Sequence, residues 1–207
     1  MSERTRRTIG IIGGGNVGGA LATGFDRLGH RVRVGVRTPT DARYAQLTVD
    51  VTTLDGAARD ADVIILAVPV LALADTIRAL PLSSGQVVID ATNAVRAPVP
   101  DDYATVGEFV AATVPAGVAV AKAFNTIGAE HLGNGHTATG PAFLPVAGDE
   151  SARAIAAELA QALGFDVADL GGSDSISLVE AHAALWINLA FNGGWGRQFA
   201  FVLDRSD

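Results

Sequence analysis

Three glycines near the amino terminus constrain this chain more than any other feature. Gly13, Gly15 and Gly18 have the spacing G-x-G-x-x-G. They follow an apolar run (8–13) that predicts a buried strand, and they open a segment (16–28) that predicts a helix. The first glycine allows a tight turn, the second lets the backbone approach a pyrophosphate, and the third lets the helix pack on the strand. The pattern therefore predicts a dinucleotide-binding turn, with phosphate charge favoured at the helix N-terminus.

Short apolar runs alternate with helical patterns up to about residue 170. The runs are apolar throughout rather than at every second position, which is typical of parallel strands covered on both faces. We therefore expect an α/β fold with a doubly wound, mostly parallel sheet of about eight strands. The predicted strands are 8–13, 30–36, 47–51, 62–68, 86–91, 118–123, 143–147 and 166–169. The predicted helices are 16–28, 41–46, 54–59, 70–80, 103–114 and 151–163.

The pattern changes after Gly171 and Gly172. Residues 176–191 predict a helix that is apolar nearly all round, and a second short segment (195–203) follows a break at 192–194. Such a helix is usually buried on more than one side, and little chain remains to cover it. We therefore expect a homodimer, with residues 1–172 as the nucleotide-binding domain. Residues 173–207 form a short helical extension that serves dimerisation and the second-substrate pocket.

The end of the second predicted strand indicates which dinucleotide binds. A site for NAD usually places a carboxylate there to accept from the ribose 2′-hydroxyl. This strand instead ends with Val36, Arg37 and Thr38. A guanidinium and a hydroxyl would bind a 2′-phosphate, and Arg43 could add charge from the following helix. The sequence therefore favours NADP(H).

Ligands of open parallel sheets lie beyond the carboxyl ends of the strands. The later strand ends supply Val68 and Pro69, Asn93, Phe124, Asn125 and Thr126. The first pair is small and apolar, suited to lie against ribose and nicotinamide, and the asparagines and the threonine are neutral hydrogen-bonding groups. We predict no catalytic acid or base among them, because hydride transfer between two bound cofactors needs mainly placement and electrostatics.

The composition excludes several classes of function. The net charge is −7, whereas a nucleic-acid-binding domain usually carries a basic face, so we predict no nucleic-acid partner. There is no cysteine and the four histidines are scattered, so we predict no metal site. The longest apolar stretch, 63–74, is too short to cross a membrane. Residues 1–7 do not resemble a signal peptide, so we expect a cytoplasmic location.

Two single residues stay open at this point. Lys122 is the only lysine among 15 basic residues. Either the genome favours arginine codons, or position 122 needs a compact ammonium group. His182 lies on the apolar last helix, and it either faces the substrate pocket or belongs to the core or a subunit interface.

Five segments, 13–18, 29–30, 34–39, 90–93 and 122–129, together resemble the NADP oxidoreductases that use the deazaflavin coenzyme F420. The stretch Lys-Ala-Phe-Asn-Thr-Ile-Gly-Ala-Glu, 122–130, is the most particular of these. Residues 178–180 and 193–201 resemble that family's terminal helices, so the resemblance covers nearly the whole chain. It implies an NADP-binding Rossmann domain with a small helical C-terminal part, usually forming a dimer.

The resemblance also implies roles for individual residues. It assigns Gly14, Gly15, Asn16 and Val17 to the pyrophosphate, Val36, Arg37 and Thr38 to the 2′-phosphate, Val68 and Pro69 to the ribose and nicotinamide, and Asn125, Ile127 and Ala129 to the facing rings. Four positions depart from the family pattern: Val36 where serine is common, Asp41 where a basic residue helps the phosphate, Ala94 where proline is frequent, and Asn125 in place of a histidine. These departures leave the second substrate open.

Three hypotheses follow for the function. The first is an NADP(H)-dependent oxidoreductase that exchanges hydride with coenzyme F420 or a flavin. The second is a reductase of a small imine or carbonyl substrate, for which His182 or a hydroxyl would serve as proton donor. The third is a non-enzymatic NADP(H)-binding sensor module.

Overall fold

Eight strands form one sheet in the computed structural model, which describes residues 5–95, 97–100 and 102–205. In chain order the strands are β1 (Thr8–Ile12), β2 (Arg31–Gly35), β3 (Asp50–Thr52), β4 (Val63–Leu66), β5 (Val87–Asp90), β6 (Ala119–Lys122), β7 (His136–Thr137), β8 (Gly140–Pro141), β9 (Phe143–Gly148) and β10 (Asp166–Asp169). The order in the sheet is β10-β9-β6-β5-β4-β1-β2-β3, and β7 and β8 form a separate hairpin. The first six strands thus have the order 3-2-1-4-5-6 of the Rossmann fold.

Six of these strands are parallel, as the sequence predicts. Strands β1 to β6 pair in parallel throughout. Strand β9 runs antiparallel to β6, and β10 runs parallel to β9. The mostly parallel, doubly wound sheet is therefore confirmed, with a reversed pair at one edge that the apolar pattern did not distinguish.

The helices are α1 (Asn16–Arg27), α2 (Leu54–Ala58), α3 (Leu73–Ala79), α4 (Val106–Thr113), α5 (Ala129–Leu132), α6 (Glu150–Ala162) and α7 (Ile176–Phe191). Single 3₁₀ turns lie at Ala42–Tyr44, Val70–Ala72 and Ser173–Ser175. The predicted helix at 41–46 is only one such turn, and α5 and the β7–β8 hairpin were not predicted. Each of these elements is too short to leave a periodic apolar pattern.

Both faces of the sheet are covered, which explains why its strands are apolar throughout. Ile9 and Ile11 of β1 pack with the buried side of α1, including Leu21 and Phe25. On the opposite face Ile12 packs with apolar residues of α2, α3 and α4. Alternate residues of one strand therefore enter two cores, as a doubly wound sheet requires.

The chain after α7 is not helical in the part that the structure describes, up to residue 205. The expectation of a terminal helix at 193–201 is therefore wrong. Gly194 and Gly196 have positive φ values of 72° and 73°, and the tail then returns to the start of β9. The carbonyl of Phe201 accepts from the N–H of Phe143 at 2.8 Å. Residues 1–4 of the predicted domain 1–172 and residues 206–207 of the predicted extension 173–207 lie outside the described residues. Within these residues no helix is long and apolar enough to span a membrane.

Candidate dinucleotide-binding site

The glycine-rich turn between β1 and α1 is closed on its inner side. Gly13 has a φ of 117°, and its N–H donates to the carbonyl of Gly35 at 2.9 Å. A Cβ atom on Gly18 would lie 1.9 Å from the carbonyl oxygen of Gly13. The turn and the first turn of α1 therefore touch so closely that neither position accepts a side chain.

The outer side of the same turn is open. Gly15 is exposed, and no described atom lies within 4 Å of the place that its Cβ would take. Gly15 is also the N-cap of α1, and no described side chain caps that end or adds an acidic group to the first turn. The free N–H groups at Asn16 and Val17 therefore face an unobstructed space, which is the arrangement that binds phosphate at helix N-termini.

A cleft of about 490 Å³ begins at this turn. It runs along the outer side of α1, with Gln46 and Leu47 on one wall and α5 on the other. Ala129, at the start of α5, lies in that wall. The structure therefore brings Ala129 together with the glycine-rich turn, although more than 100 residues separate them in sequence.

The end of β2 carries the residues predicted for the 2′-phosphate. Val36 is buried, whereas Arg37 and Thr38 are exposed beside each other. The guanidinium of Arg37 has no hydrogen bond or ion pair with any residue that the structure describes. An arginine that is exposed and unpaired at a strand end is available to an anionic ligand.

The guanidinium of Arg43, unlike that of Arg37, is paired with a carboxylate. Its guanidinium donates to Asp41 Oδ2 from Nε at 2.7 Å and from Nη2 at 2.5 Å. These hydrogen bonds hold the pKa of Asp41 below its ordinary value. The charge that the sequence offers from Arg43 is therefore compensated by Asp41.

Tyr44 lies beside this pair and was missed by the sequence reasoning. A Cβ on Gly14 would come within 2.6 Å of the Tyr44 ring and within 3.1 Å of a Val36 methyl group. The Arg43 guanidinium lies 5.4 Å from the ring centre. Tyr44 thus lies between the glycine-rich turn and the end of β2, a position that no motif indicated because the chain folds back there through a single 3₁₀ turn.

The ends of β4, β5 and β6 carry the remaining predicted residues. Val68 is half-buried and Pro69 is exposed where it caps the following 3₁₀ turn. Asn93 donates from Nδ2 to the backbone carbonyl of Asn125 at 2.5 Å, and Asn125 donates from Nδ2 to Asn93 Oδ1 at 3.0 Å. The two asparagines therefore join the ends of β5 and β6, a contact that the sequence did not predict.

Phe124, between β6 and Asn125, has an unusual backbone. Its φ is 63°, and its side chain is 1% exposed. A bulky residue in the left-handed region costs about 1–3 kcal/mol and persists only where the surrounding structure enforces it. The chain turns sharply at this point, and Asn125, Thr126 and Ile127 follow as buried residues.

Lys122 is fully buried, and its environment was not foreseen. Its ammonium lies 2.8 Å from Asp90 Oδ2 and 3.0 Å from Glu180 Oε1. It also donates to the backbone carbonyl of Thr92 at 2.8 Å. The only signal in the sequence was that a chain rich in arginine keeps one lysine, which did not reveal the partners.

His182 packs in an aromatic cluster rather than beside the glycine-rich turn. Its ring centre lies 5.3 Å from that of Phe143 and 4.9 Å from that of Phe201. Burial lowers the pKa of His182 below its ordinary value. Among the described residues no group of three or more histidines, aspartates or glutamates could hold a metal ion.

Part of the chain matches a known protein family. Residues 8–94 match the family model described as NADP oxidoreductase, coenzyme F420-dependent. The chain belongs to that family. The matched residues of this member of the F420-dependent NADP oxidoreductase family include β1 to β5, the glycine-rich turn and Arg37. None of the curated proteins compared matches the chain.

Solved structures extend the likeness over the whole chain. A candidate F420-dependent NADP reductase from Arthrobacter sp. FB24 is 26% identical, with a TM-score of 0.79 over 96% of this chain and 100% of that one. A hypothetical protein from Sinorhizobium meliloti is 34% identical, with a TM-score of 0.67 over 80% of this chain and 85% of that one. The family to which the chain belongs is one of NADP-dependent oxidoreductases.

A reductive aminase from Aspergillus terreus, solved with NADPH and ethyl levulinate, has a TM-score of 0.67 at 22% identity. The match covers 92% of this chain but only 63% of that enzyme. At this identity the likeness concerns the fold alone.

Proposed function

We propose that this chain binds NADP(H) and exchanges hydride between the nicotinamide and a deazaflavin (coenzyme F420) or flavin acceptor. The observation that carries the proposal is the open, uncapped N-terminus of α1 beside an unpaired Arg37. A dinucleotide pyrophosphate fits the first feature, and a 2′-phosphate fits the second. Membership in the family described as F420-dependent NADP oxidoreductases supports the acceptor class.

Each region of the site has its own task in this proposal. Gly14, Gly15, Asn16 and Val17 bind the pyrophosphate through backbone N–H groups. Val36, Arg37 and Thr38 surround the 2′-phosphate, and Val68 and Pro69 lie along the ribose. Asn93, Phe124, Asn125, Ile127 and Ala129 orient the nicotinamide end, while Gly13 forms the turn.

The bound nicotinamide would supply the chemistry, because its C4 atom gives or takes a hydride. The neutral Asn93–Asn125 pair would hold one ring against the other without adding a charge. The buried residues after Phe124 would exclude water from that side.

We also propose that α7 contributes to a homodimer and to the second-substrate pocket, with residues 1–172 as the nucleotide-binding unit. Leu178, Leu185 and Phe191 of α7 are 60%, 51% and 53% exposed, which is unusual for large apolar residues on one helix. A cytoplasmic location stays a prediction from the sequence.

The imine or carbonyl reductase hypothesis needs a proton donor near the nicotinamide. His182 packs between two phenylalanine rings, and its buried Nε2 atom has no hydrogen-bond partner among the described residues. We rank this alternative second, because the family model that matches the chain describes F420-dependent enzymes.

The proposal is tested by mixing the purified full chain with NADPH and, separately, with coenzyme F420, FMN, FAD and riboflavin. NADPH absorbance should fall with at least one acceptor, and NADH should react more slowly. A chain that binds NADPH but consumes none with any of these acceptors would favour the sensor hypothesis. A chain that does not bind NADPH would overturn the proposal as a whole.

A further inference from the structure

The buried ammonium of Lys122 joins three segments of the chain: β6, the end of β5 with the loop after it, and α7. It is a group with three donors, and the three acceptors around it are Asp90 Oδ2, the carbonyl of Thr92 and Glu180 Oε1, at 2.8, 2.8 and 3.0 Å. Because the ammonium donates to Asp90 and Thr92, pairs with Glu180 and is 0% exposed, this lysine is not poised to act as a nucleophile or a base.

The geometry also explains why position 122 is not arginine. The three acceptors surround one point at the end of β6. An ammonium is a compact charge with three donors around one atom, whereas a guanidinium is a planar fork that spreads its donors over several ångströms. An arginine at this buried position would displace at least one acceptor.

Glu180 connects this point to two helices. It lies on α7, and its carboxylate also accepts from the backbone N–H of Gly107 at 2.9 Å and of Val106 at 3.3 Å. Those N–H groups belong to the first turn of α4, where an anion is favoured. The C-terminal helix therefore completes a charge cluster inside the nucleotide-binding domain.

Asp90 transmits the arrangement to the loop after β5. Its Oδ1 atom accepts from the N–H of Thr92 at 2.9 Å and from the Thr92 hydroxyl at 2.7 Å. Lys122 holds the carbonyl of the same threonine. Asn93 follows directly, so the turn that presents Asn93 to Asn125 is fixed from both sides.

We propose that Lys122, Asp90 and Glu180 are positioning residues, which set the Asn93–Asn125 pair at the nicotinamide end of the site. They do not touch the dinucleotide; they act by holding the ends of β5 and β6 in register with α7. The catalytic part of this inference rests on the proposed hydride exchange, whereas the positioning itself does not.

A merely structural cluster would affect stability but not the geometry of the asparagine pair. The test uses Glu180→Gln, Lys122→Arg and Lys122→Met in the full chain. Glu158→Gln is the matched control, since Glu158 pairs with Arg7 just before β1, at the opposite end of the strand from the glycine-rich turn. Glu180→Gln keeps the side-chain volume. It therefore still tests the positioning role if Lys122→Met does not fold.

Two measurements decide the outcome. The first is the pair of side-chain amide resonances of Asn93 and Asn125 in ¹⁵N-labelled protein. The second is the split between the Kd for NADPH and kcat with the best acceptor. We expect Glu180→Gln to shift both amide resonances and to lower kcat about tenfold, since small misplacements of reacting groups are costly. The Kd for NADPH should change little, because the cluster does not touch the dinucleotide. Lys122→Arg should also shift the amide resonances and lower kcat, because arginine does not replace lysine at this buried position.

The control Glu158→Gln should leave the resonances and kcat unchanged. Unchanged amide resonances in folded Glu180→Gln and Lys122→Arg proteins would overturn the positioning role. If the wild-type chain transfers no hydride to any acceptor, the proposed function fails, and the amide resonances alone still decide the inference.

Discussion

Asn93 and Asn125 are linked by two hydrogen bonds that use one donor from each side chain, at 2.5 and 3.0 Å. The link spans the carboxyl ends of two neighbouring parallel strands. Replacing Asn93 by alanine would leave the carbonyl and the amide of Asn125 unpaired in a buried place, at a cost of about 1–3 kcal/mol in unfolding free energy.

The Asn93→Ala variant should therefore melt at a lower temperature and transfer hydride more slowly, while NADPH still binds through the distant phosphate contacts. Circular dichroism and stopped-flow absorbance measure the two effects. A variant with wild-type turnover would exclude a role for the pair in orienting the nicotinamide.

Two glycines of the same turn should respond in opposite ways to alanine. Gly15→Ala adds a methyl group where no described atom lies within 4 Å, so the fold should be as stable as wild type. The affinity for NADPH should fall at least about tenfold, because the methyl group occupies the place of the pyrophosphate.

Gly18→Ala places its methyl group 1.9 Å from the carbonyl oxygen of Gly13. The clash should destabilise the fold by about 3 kcal/mol or more. Thermal melting and fluorescence titration with NADPH separate the two variants. Equal loss of stability in both would contradict the assignment of Gly15 to the ligand.

Arg37 should set the preference for NADP over NAD. Arg37→Ala should raise the Kd for NADPH about 10- to 100-fold, as expected for the loss of a charged hydrogen bond of about 1.5–3 kcal/mol. The Kd for NADH should change little. Arg31→Ala is the matched control, because Arg31 is an exposed arginine at the opposite end of the same strand. If both substitutions weakened NADPH equally, the effect would come from net charge alone.

His182 should make stability depend on pH. Burial lowers its pKa in the folded chain below the ordinary value of 6.5. As the pH falls below about 6.5, the unfolded chain takes up the proton first, so the free energy of unfolding decreases. Above that pH neither state is protonated, and this histidine contributes no pH dependence.

The melting temperature of His182→Gln should therefore fall less than that of wild type between about pH 7 and about pH 5. His136→Gln is the control, since His136 is exposed. Parallel curves for wild type and His182→Gln would show that His182 does not titrate in this way.

The exposed side of α7 should be an interface in solution. Leu185→Glu places a charge on the exposed side of α7, two helical turns from Leu178 on the same face. We expect the wild type to be a dimer and this variant to dissociate into monomers at a higher protein concentration than the wild type does. Light scattering after size exclusion measures the difference. Ala154→Glu, on the exposed side of α6, should remain a dimer. A monomeric wild type would disprove the interface.

The sequence predicted what depends on local pattern. The glycine spacing located the turn between β1 and α1, and the uniformly apolar runs indicated strands buried on both faces. Helix α7 has the predicted bounds, Ile176–Phe191, because sixteen consecutive residues without glycine or proline leave few alternatives. The sequence also placed Asn93 and Asn125 beyond the ends of β5 and β6, although their hydrogen bonds to each other were not predicted.

The features that were not predicted arise from contacts between distant parts of the chain. Glu180 meets Lys122 across 58 positions, and no spacing rule relates a helix residue to a strand residue at that distance. The reversal of β9 was missed because strand direction is not encoded in hydrophobicity. Tyr44 was overlooked since a single 3₁₀ turn leaves no periodic signal.

Burial of the only lysine also makes the folded chain resistant to lysine-directed chemistry. An acylating reagent reaches the Lys122 amine only when β5, β6 and α7 separate, because the side chain is 0% exposed. The rate of acylation at this one position therefore follows the population of a locally opened form. Mass spectrometry of the peptide that contains Lys122, sampled over time, would measure how tightly the C-terminal helix is held, without any denaturant.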